Sequence, residues 1–305
     1  MRTTRRGRVM WGASVRVRSL RAFLWLVLAG VLAVAPGCRR KAEGQGARSS
    51  SGAATAATTV PGPGLPAAVA EAVGREVQAV RVLSRPTGDI LGFRVSAAEA
   101  LATWEKVHAV KDRSGLYPVI FAGGTQGLPG ESVGDDPAFS PAAKLGRAAN
   151  IAPAAWFPAR MEDLELHPPR DPAGTSPPNT RFVLFTDLVT GEPRDDLLLL
   201  LVPTTKTWEV LAILGFGGWN DCPTDEAHAA AHKLWFETYG AELVAMDLAT
   251  LELRVARPPT TRDAALALAL QQYAYCYDIV EQGVGSLEAL AAGLANGSVW
   301  FFWWD

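Results

Sequence analysis

The sequence predicts an α/β (or α+β) domain with a mixed central sheet flanked by helices. Three observations carry this. Strand-like and helix-like runs alternate from residue 66 onward. The five leucines Leu197 to Leu201 have no polar residue among them, as expected for a central strand buried on both faces. Gly215-Phe216-Gly217-Gly218-Trp219-Asn220-Asp221-Cys222-Pro223 then separates two helical stretches with a glycine-rich loop in the C-terminal half.

In chain order, the first 37 residues stand apart. Seven arginines (2, 5, 6, 8, 16, 18 and 21) and no acid accompany an apolar run from Ala22 to Ala35. That run is shorter than the roughly 20 residues a spanning helix needs, so it reads as an export signal. Met10 is an alternative start. Ala35-Pro36-Gly37-Cys38 resembles a bacterial lipobox, with a small residue before the cysteine. The expectation is cleavage before Cys38, lipidation of Cys38, and a membrane-anchored protein of the cell envelope facing the periplasm or the surface. Residues 38–65 are rich in Ala, Gly, Ser, Thr and Pro and read as a flexible tether, leaving 66–305 as the globular domain.

Within that domain, a short helix is expected over 67–74. Strands follow at Val77–Leu83 and Ile90–Val95, around a Pro-Thr-Gly-Asp turn. Ser96-Ala97-Ala98-Glu99 matches a capping box and starts a helix to about Arg113, which Gly115 stops. Tyr117–Ala122 is a buried strand, completing a βαβ-like unit. Residues 123–180 form a long Gly, Pro and Ala-rich excursion with short helices near 140–149 and 158–164. Gly123-Gly124-Thr125-Gln126-Gly127 follows a strand, but no Gly-Lys-Ser/Thr succeeds it, so no nucleotide cofactor is expected and none of another kind is signalled.

Strands are then expected at Phe182–Phe185 and Leu197–Val202. Thr204 or Thr205 can cap a helix through Leu214, and Thr224 one from Asp225 to Tyr239, closed by Gly240. Strands at 242–246 and 250–256 precede a helix that the capping-box match Thr260-Thr261-Arg262-Asp263 starts and that runs to about Tyr275, with Leu266, Leu270 and Tyr273 on its buried face. Ser286 caps a last helix to Ala295, and Ser298–Trp304 is a last strand. Trp104 and Trp235 each sit in a helix followed by a glycine stop and a strand, which suggests a weak internal repeat.

Removing the leader takes 7 of the 29 basic residues and leaves 22 against 31 acidic, a formal net charge of −9. A polyanion-binding surface is not expected, so nucleic acid is excluded as a partner. The expected partners are the membrane, through the lipidated N-terminus, and an unidentified protein or small molecule. With Cys38 lipidated, Cys222 and Cys276 remain as an even pair in an oxidising compartment, and a disulfide between them is the first expectation.

Four constellations carry candidate chemistry. His228 and His232 are four apart on one helix, a spacing that lets two imidazoles share a metal ion. Ala229 stands where a metalloprotease needs its glutamate, and no distal ligand is evident, so a solvated helix face is the expected reading and no metal is assigned. Cys222 just before a helix N-terminus is a candidate nucleophile, with His228 or His232 as base and Asn220 or Asp221 to orient. Asp221, Asp225, Glu226 and Asp278 offer carboxylates for acid–base work, although acids at a helix start also complement its dipole. Trp219, Asn220 and Asp221 form the candidate binding surface. The aromatic run Trp300 to Trp304 is expected to be a central strand; at an edge it would be a recognition surface.

One ordered set of motifs goes beyond these readings. It comprises Gly217 to Pro223, Tyr239-Gly240-Ala241-Glu242, Arg257-Pro258-Pro259, Gln272-Tyr273, Cys276 with Asp278, and Trp300-Phe301-Phe302-Trp303-Trp304. On these residues, 197–305 resembles the bacterial family of domain of unknown function 4253, with Tyr277 standing where that family usually has proline. The resemblance implies a boundary near residue 197 and no activity. Function is therefore expected to be that of an envelope-anchored binding or interaction module, the alternative being a hydrolase using Cys222 with His228 and His232, or a metal site on the same helix.

Overall fold

The computed structural model describes residues 64–83, 89–123, 137–187 and 190–305. The stretch read as a leader, the lipobox-like segment with Cys38, nearly all of the expected tether, and the glycine cluster after Gly123 lie outside them. In chain order the helices and strands are α1 (Ala67–Val73), β1 (Val80–Leu83), β2 (Ile90–Arg94), α2 (Ala97–His108), the single turn α3 (Lys111–Ser114) and β3 (Tyr117–Ala122). The excursion supplies α4 (Pro141–Ala148) and α5 (Pro153–Asp163). Then come β4 (Leu197–Val202), α6 (Val210–Leu214), α7 (Asp225–Tyr239), β5 (Ala241–Met246) and β6 (Thr250–Val255). The chain continues with α8 (Arg262–Tyr275), a π-helical turn over Ile279–Val284, α9 (Leu287–Leu294) and β7 (Val299–Trp303). Among the described residues no helix is long and apolar enough to cross a membrane.

The seven strands form one mixed sheet in the order β1-β2-β4-β3-β5-β6-β7, parallel at β3–β5 and antiparallel at every other pair. The leucine strand β4 is buried along its whole length, as its composition requires. It is inserted between β2 and β3, so the βαβ unit is split: β2 and β3 run parallel but do not pair with each other.

Strand β5 carries a register shift between Leu243 and Ala245, and its pairing with β3 is confined to Ile120↔Ala245 and Phe121↔Met246. Side chains satisfy the backbone this leaves: Thr207 Oγ1 accepts from the Leu243 N–H at 2.8 Å, and Tyr117 Oη donates to the Leu243 carbonyl at 3.1 Å.

The two sheet faces have different chemistry. On one, Arg254 lies 4.6 Å over the Trp104 ring and donates to Glu242 at 2.8 Å, while His108 meets the other Glu242 oxygen at 2.8 Å. On the other, Trp235 of α7 packs against Trp300 and Phe302 of β7 at ring separations of 5.7 and 5.6 Å. The two tryptophans of the suspected repeat are used differently: Trp104 donates to the Pro118 carbonyl on β3, Trp235 to Gln271 Oε1 on α8.

Several elements depart from expectation. Phe182–Phe185 is not a strand, because the N–H groups of Val183 and Leu184 donate to the buried carboxylate of Glu252 at 2.6 and 3.1 Å instead of to a ladder. Ser96 makes no side-chain cap; its hydroxyl donates to Glu99. The helix before α7 begins as a 3-10 turn at Thr207. On α8 the buried face is Ala265, Leu268, Ala269, Gln272 and Tyr273, and Leu270 is 41% exposed. The aromatic strand β7 lies at the sheet edge rather than in its centre. Trp300, Phe302 and Trp304 are nevertheless buried, because α7 and α8 cover that face.

Candidate functional site

Helix α6 ends at Gly215 (φ 74°), and Gly217 (φ 111°), Gly218 (φ 84°) and Asn220 (φ 44°) continue in the left-handed region. The loop closes on itself: Gly218 N–H donates to the Pro223 carbonyl and Cys222 N–H to that of Trp219, both at 2.9 Å. At Gly217 a methyl group would collide with the Pro223 carbonyl and lie 2.8 Å from the His228 ring. Only glycine lets the loop seat on that imidazole. Thr224 then caps α7 by accepting from Ala227 N–H.

The loop delivers Cys222 to α7. Its Sγ lies 3.4 Å from His228 Nε2, His228 Nδ1 lies 2.5 Å from Tyr275 Oη, and Tyr275 Oη lies 2.9 Å from His232 Nε2. The two histidines are buried, not on a solvated helix face, because α8 supplies Tyr275 between them. Each neutral imidazole donates through one nitrogen and accepts through the other, so when the Tyr275 O–H donates to one imidazole the protons of this chain all run one way. His232 Nδ1 is left without a partner.

Burial keeps every member neutral. It pushes the Cys222 thiol and the Tyr275 phenol up; the nearby Arg160 guanidinium only partly offsets this. Burial lowers His228, helped by His232 and Arg160, and brings His232 down to about 3. The thiolate a nucleophile needs is therefore disfavoured where Cys222 stands.

The expected disulfide is not formed: Cys222 and Cys276 are both free and buried. Each sulfur has its own partner, Cys276 Sγ donating to the Trp303 carbonyl at 3.0 Å. Nor do the histidines present an open metal site, since Tyr275 Oη occupies the position between them. Among the described residues no three His, Cys, Asp or Glu side chains converge as a metal requires.

Arg160, which sequence reasoning missed, arrives from the excursion. Its guanidinium donates to the Asp221 carbonyl and, at 2.9 Å, to the Ala274 carbonyl, tying α5 to both loop and α8. Phe157 of the same helix stacks on Trp235 at 5.8 Å. Helix α4 pairs Lys144 with Asp225 and Arg147 with Glu226. Asp225 and Glu226 therefore anchor the excursion to the start of α7. Tyr275 was equally unmarked, its only signal being the aromatic density of Tyr273-Ala274-Tyr275-Cys276-Tyr277.

Residues 198–305 match the family model for a domain of unknown function (DUF4253). The DUF4253 segment thus supplies the loop, both histidines and Tyr275, whereas Arg160 comes from outside it. No curated protein and no solved structure matches the chain.

Above the buried chain, the DUF4253 segment opens a cleft of about 460 Å³. Asn220 and Asp221 line it from the loop, Tyr277, Asp278, Glu281 and Gln282 from the turn after α8, and Trp304 and Asp305 from beyond β7. The carboxylates meet neutral donors: Tyr277 Oη donates to Asp221 at 2.6 Å, Gln282 to Asp278 at 2.9 Å, and Tyr273 Oη to Glu281 at 2.7 Å. Asn220 donates to the Asp305 carbonyl at 2.7 Å. No lining residue is cationic, and the buried Trp304 Nε1 has no partner. Of the candidate binding residues, Asn220 and Asp221 reach the cleft; Trp219 is half-buried against Phe216 at 4.8 Å. The Asp221 carboxylate is engaged by Tyr277 and not by the thiol or either imidazole.

Proposed function

We propose that the protein is a non-catalytic binding module of the bacterial cell envelope, held on a lipid-anchored tether through Cys38, and that its cleft takes a cationic ligand. The observation that supports this reading is the charge of the cleft, which Asp221, Asp278, Glu281 and Asp305 line together with no lining cation. An organic cation flanked by Tyr277 and Trp304 suits these carboxylates better than a bare metal ion, since no three of them converge.

Titration of the full chain with trilysine, triglycine and triglutamate tests the cleft. Trilysine is expected to bind saturably, more weakly at high salt, and at least fivefold more weakly to Asp278→Asn with Glu281→Gln. Equal binding of trilysine and triglycine would sink the reading. Incorporation of labelled palmitate into the wild type but not into Cys38→Ala tests the anchor.

The contact between Cys222 Sγ and His228 Nε2 favours a second reading, a hydrolase with Cys222 as nucleophile and His228 as base. Burial opposes it by holding the thiol protonated. Fast, selective alkylation of Cys222 by iodoacetamide in the native chain at neutral pH would favour the hydrolase; protection until unfolding favours the binding module.

A further inference from the structure

Glu252 of β6 is 0% exposed and accepts from the Val183 N–H at 2.6 Å and the Leu184 N–H at 3.1 Å. Ala245 of β5 and Phe301 of β7 stand opposite it in the ladders. Arg254, two residues on and on the same face, is committed to Glu242 and to the Trp104 ring. Arg194, beyond the 182–185 segment, pairs with Asp196. The charged group that acts on Glu252 is Asp247 of the β5–β6 turn, and it opposes ionisation. A carboxylate here is buried without a counter-charge. The two N–H groups offset that only in part, so the carboxyl is raised to about 7.

The segment that Glu252 holds is tied elsewhere at its two ends. Asn179 N–H donates to the Gly293 carbonyl at 3.0 Å and Asn179 accepts from the Val299 N–H at 3.1 Å, while the Phe185 carbonyl accepts from the Arg194 N–H at 3.0 Å. Between those points, among the described residues, the hydrogen bonds that join the backbone to another element are the two to Glu252. Phe182 stacks on Phe185 at 5.6 Å and Leu184 is buried, so lifting the segment uncovers apolar surface. Val183 also lines, with Ser176 and Asn179 of the same stretch, a largely apolar cavity of about 120 Å³. Helices α8 and α9, the π-helical turn and β7 supply the other lining residues of that cavity.

We propose that Glu252 is an acid-closed latch: protonated, it holds 182–185 shut against β6, and loss of the proton to water favours a lifted segment that opens the cavity to small uncharged apolar molecules. The latch and the cavity share no residue with the acidic cleft, so this proposal and the cation-binding reading fail separately. In the lifted segment the carboxyl meets water and titrates near its ordinary value of 4.5; in the shut one it titrates near 7. The open fraction therefore rises about tenfold per pH unit between the two, about 300-fold in all, and is level above ~7.

Amide hydrogen exchange of the full chain from pH ~5 to ~8, corrected for the intrinsic rate, tests the latch. Val183 and Leu184 are expected to lose protection about tenfold per pH unit up to ~7 and to exchange roughly tenfold or more faster than Leu199 and Leu200 of β4 at that pH. In Glu252→Gln, whose amide stays neutral, the pH trend is expected to vanish. N-phenyl-1-naphthylamine, uncharged throughout, is expected to gain fluorescence with the wild type at pH ~8 over pH ~5, and not with Glu252→Gln. Protection of Val183 and Leu184 that ignores pH, protection equal to that of β4 (opening by global unfolding only), or dye binding that ignores pH would each overturn the proposal. Should Glu252→Gln fail to fold, the wild-type exchange and dye profiles decide it alone.

Discussion

Tyr275 Oη bridges two imidazoles of one helix, lying 2.5 Å from His228 Nδ1 and 2.9 Å from His232 Nε2. A histidine pair at i, i+4 suggests a shared metal ion; here a phenol from α8 stands in that position. The bridge joins α7 to α8, and through His228 it reaches Cys222 and the glycine loop. It thus makes the polar centre of an otherwise aromatic core.

Tyr275→Phe keeps the ring among Trp235, Phe302 and Trp304 but deletes the bridging oxygen. His228 Nδ1 and His232 Nε2 are then buried without partners, which costs about 2–4 kcal/mol in all. Urea denaturation is expected to show a lower midpoint with an unchanged slope. A loss within a few tenths of a kcal/mol would mean that the bridge does not stabilise the fold.

The lowered histidines set an acid limit. His232 falls to about 3 in the folded chain, below the ordinary value of 6.5, so the unfolded chain binds more protons between the two. Its contribution is present above pH ~6.5 and is lost as pH falls toward 3, by up to about 1.4 kcal/mol per pH unit. His228 shifts in the same direction. His232→Gln, whose amide can still donate to Tyr275, is expected to flatten the stability profile over that window; an unchanged slope would contradict the shift.

Glu252 acts in the opposite sense. Burial, only partly offset by the N–H groups of Val183 and Leu184, raises its carboxyl to about 7. The stability it contributes is complete below pH ~4.5 and is lost as pH rises through 7, a change of about 3 kcal/mol. The stability difference between wild type and Glu252→Gln, which cancels the histidines, should therefore fall from pH 4.5 to pH 8. A flat difference would place the carboxyl near its ordinary value.

The glycines of the loop differ in a way that substitution can read. Gly217→Ala meets the Pro223 carbonyl and the His228 ring at a φ of 111°, and is expected to cost about 3 kcal/mol or more. Gly218 also has positive φ, but a methyl group there meets nothing within 4 Å, so Gly218→Ala should cost about 1 kcal/mol. Equal losses in thermal unfolding would show that backbone strain alone, not contact with His228, restricts the loop.

Local signals carried much of the fold. The unbroken apolar run at Leu197–Val202, the Thr224 cap and the Gly240 stop are short-range chemistry, and the structure uses each of them. Long-range pairings were not legible. Nothing in Phe182–Phe185 announces that Glu252, 68 residues away, takes its N–H groups. Nothing in Tyr275 announces that it divides two histidines, or in Arg160 that it reaches Asp221. Burial of the His228 face was hidden because the covering helices, α5 and α8, lie far off in sequence.

The same long-range pairing bears on where the chain can be cut. The resemblance placed a boundary near residue 197, and the family match spans 198–305. That segment supplies β4, β5, β6 and β7, but β4 and β5 do not pair with each other; β3, from residues 117–122, lies between them. Cutting at 197 leaves two unpaired strand edges facing a gap one strand wide, and removes Phe157 and Arg160 from the other side of the core. A 197–305 fragment is therefore expected to show no cooperative thermal transition and to expose the β4 leucines to aggregation. Residues 64–305 should unfold in a single transition. Cooperative unfolding of 197–305 alone would mean that β4 and β5 can close directly on each other, and that β3 is an insertion into a self-sufficient domain.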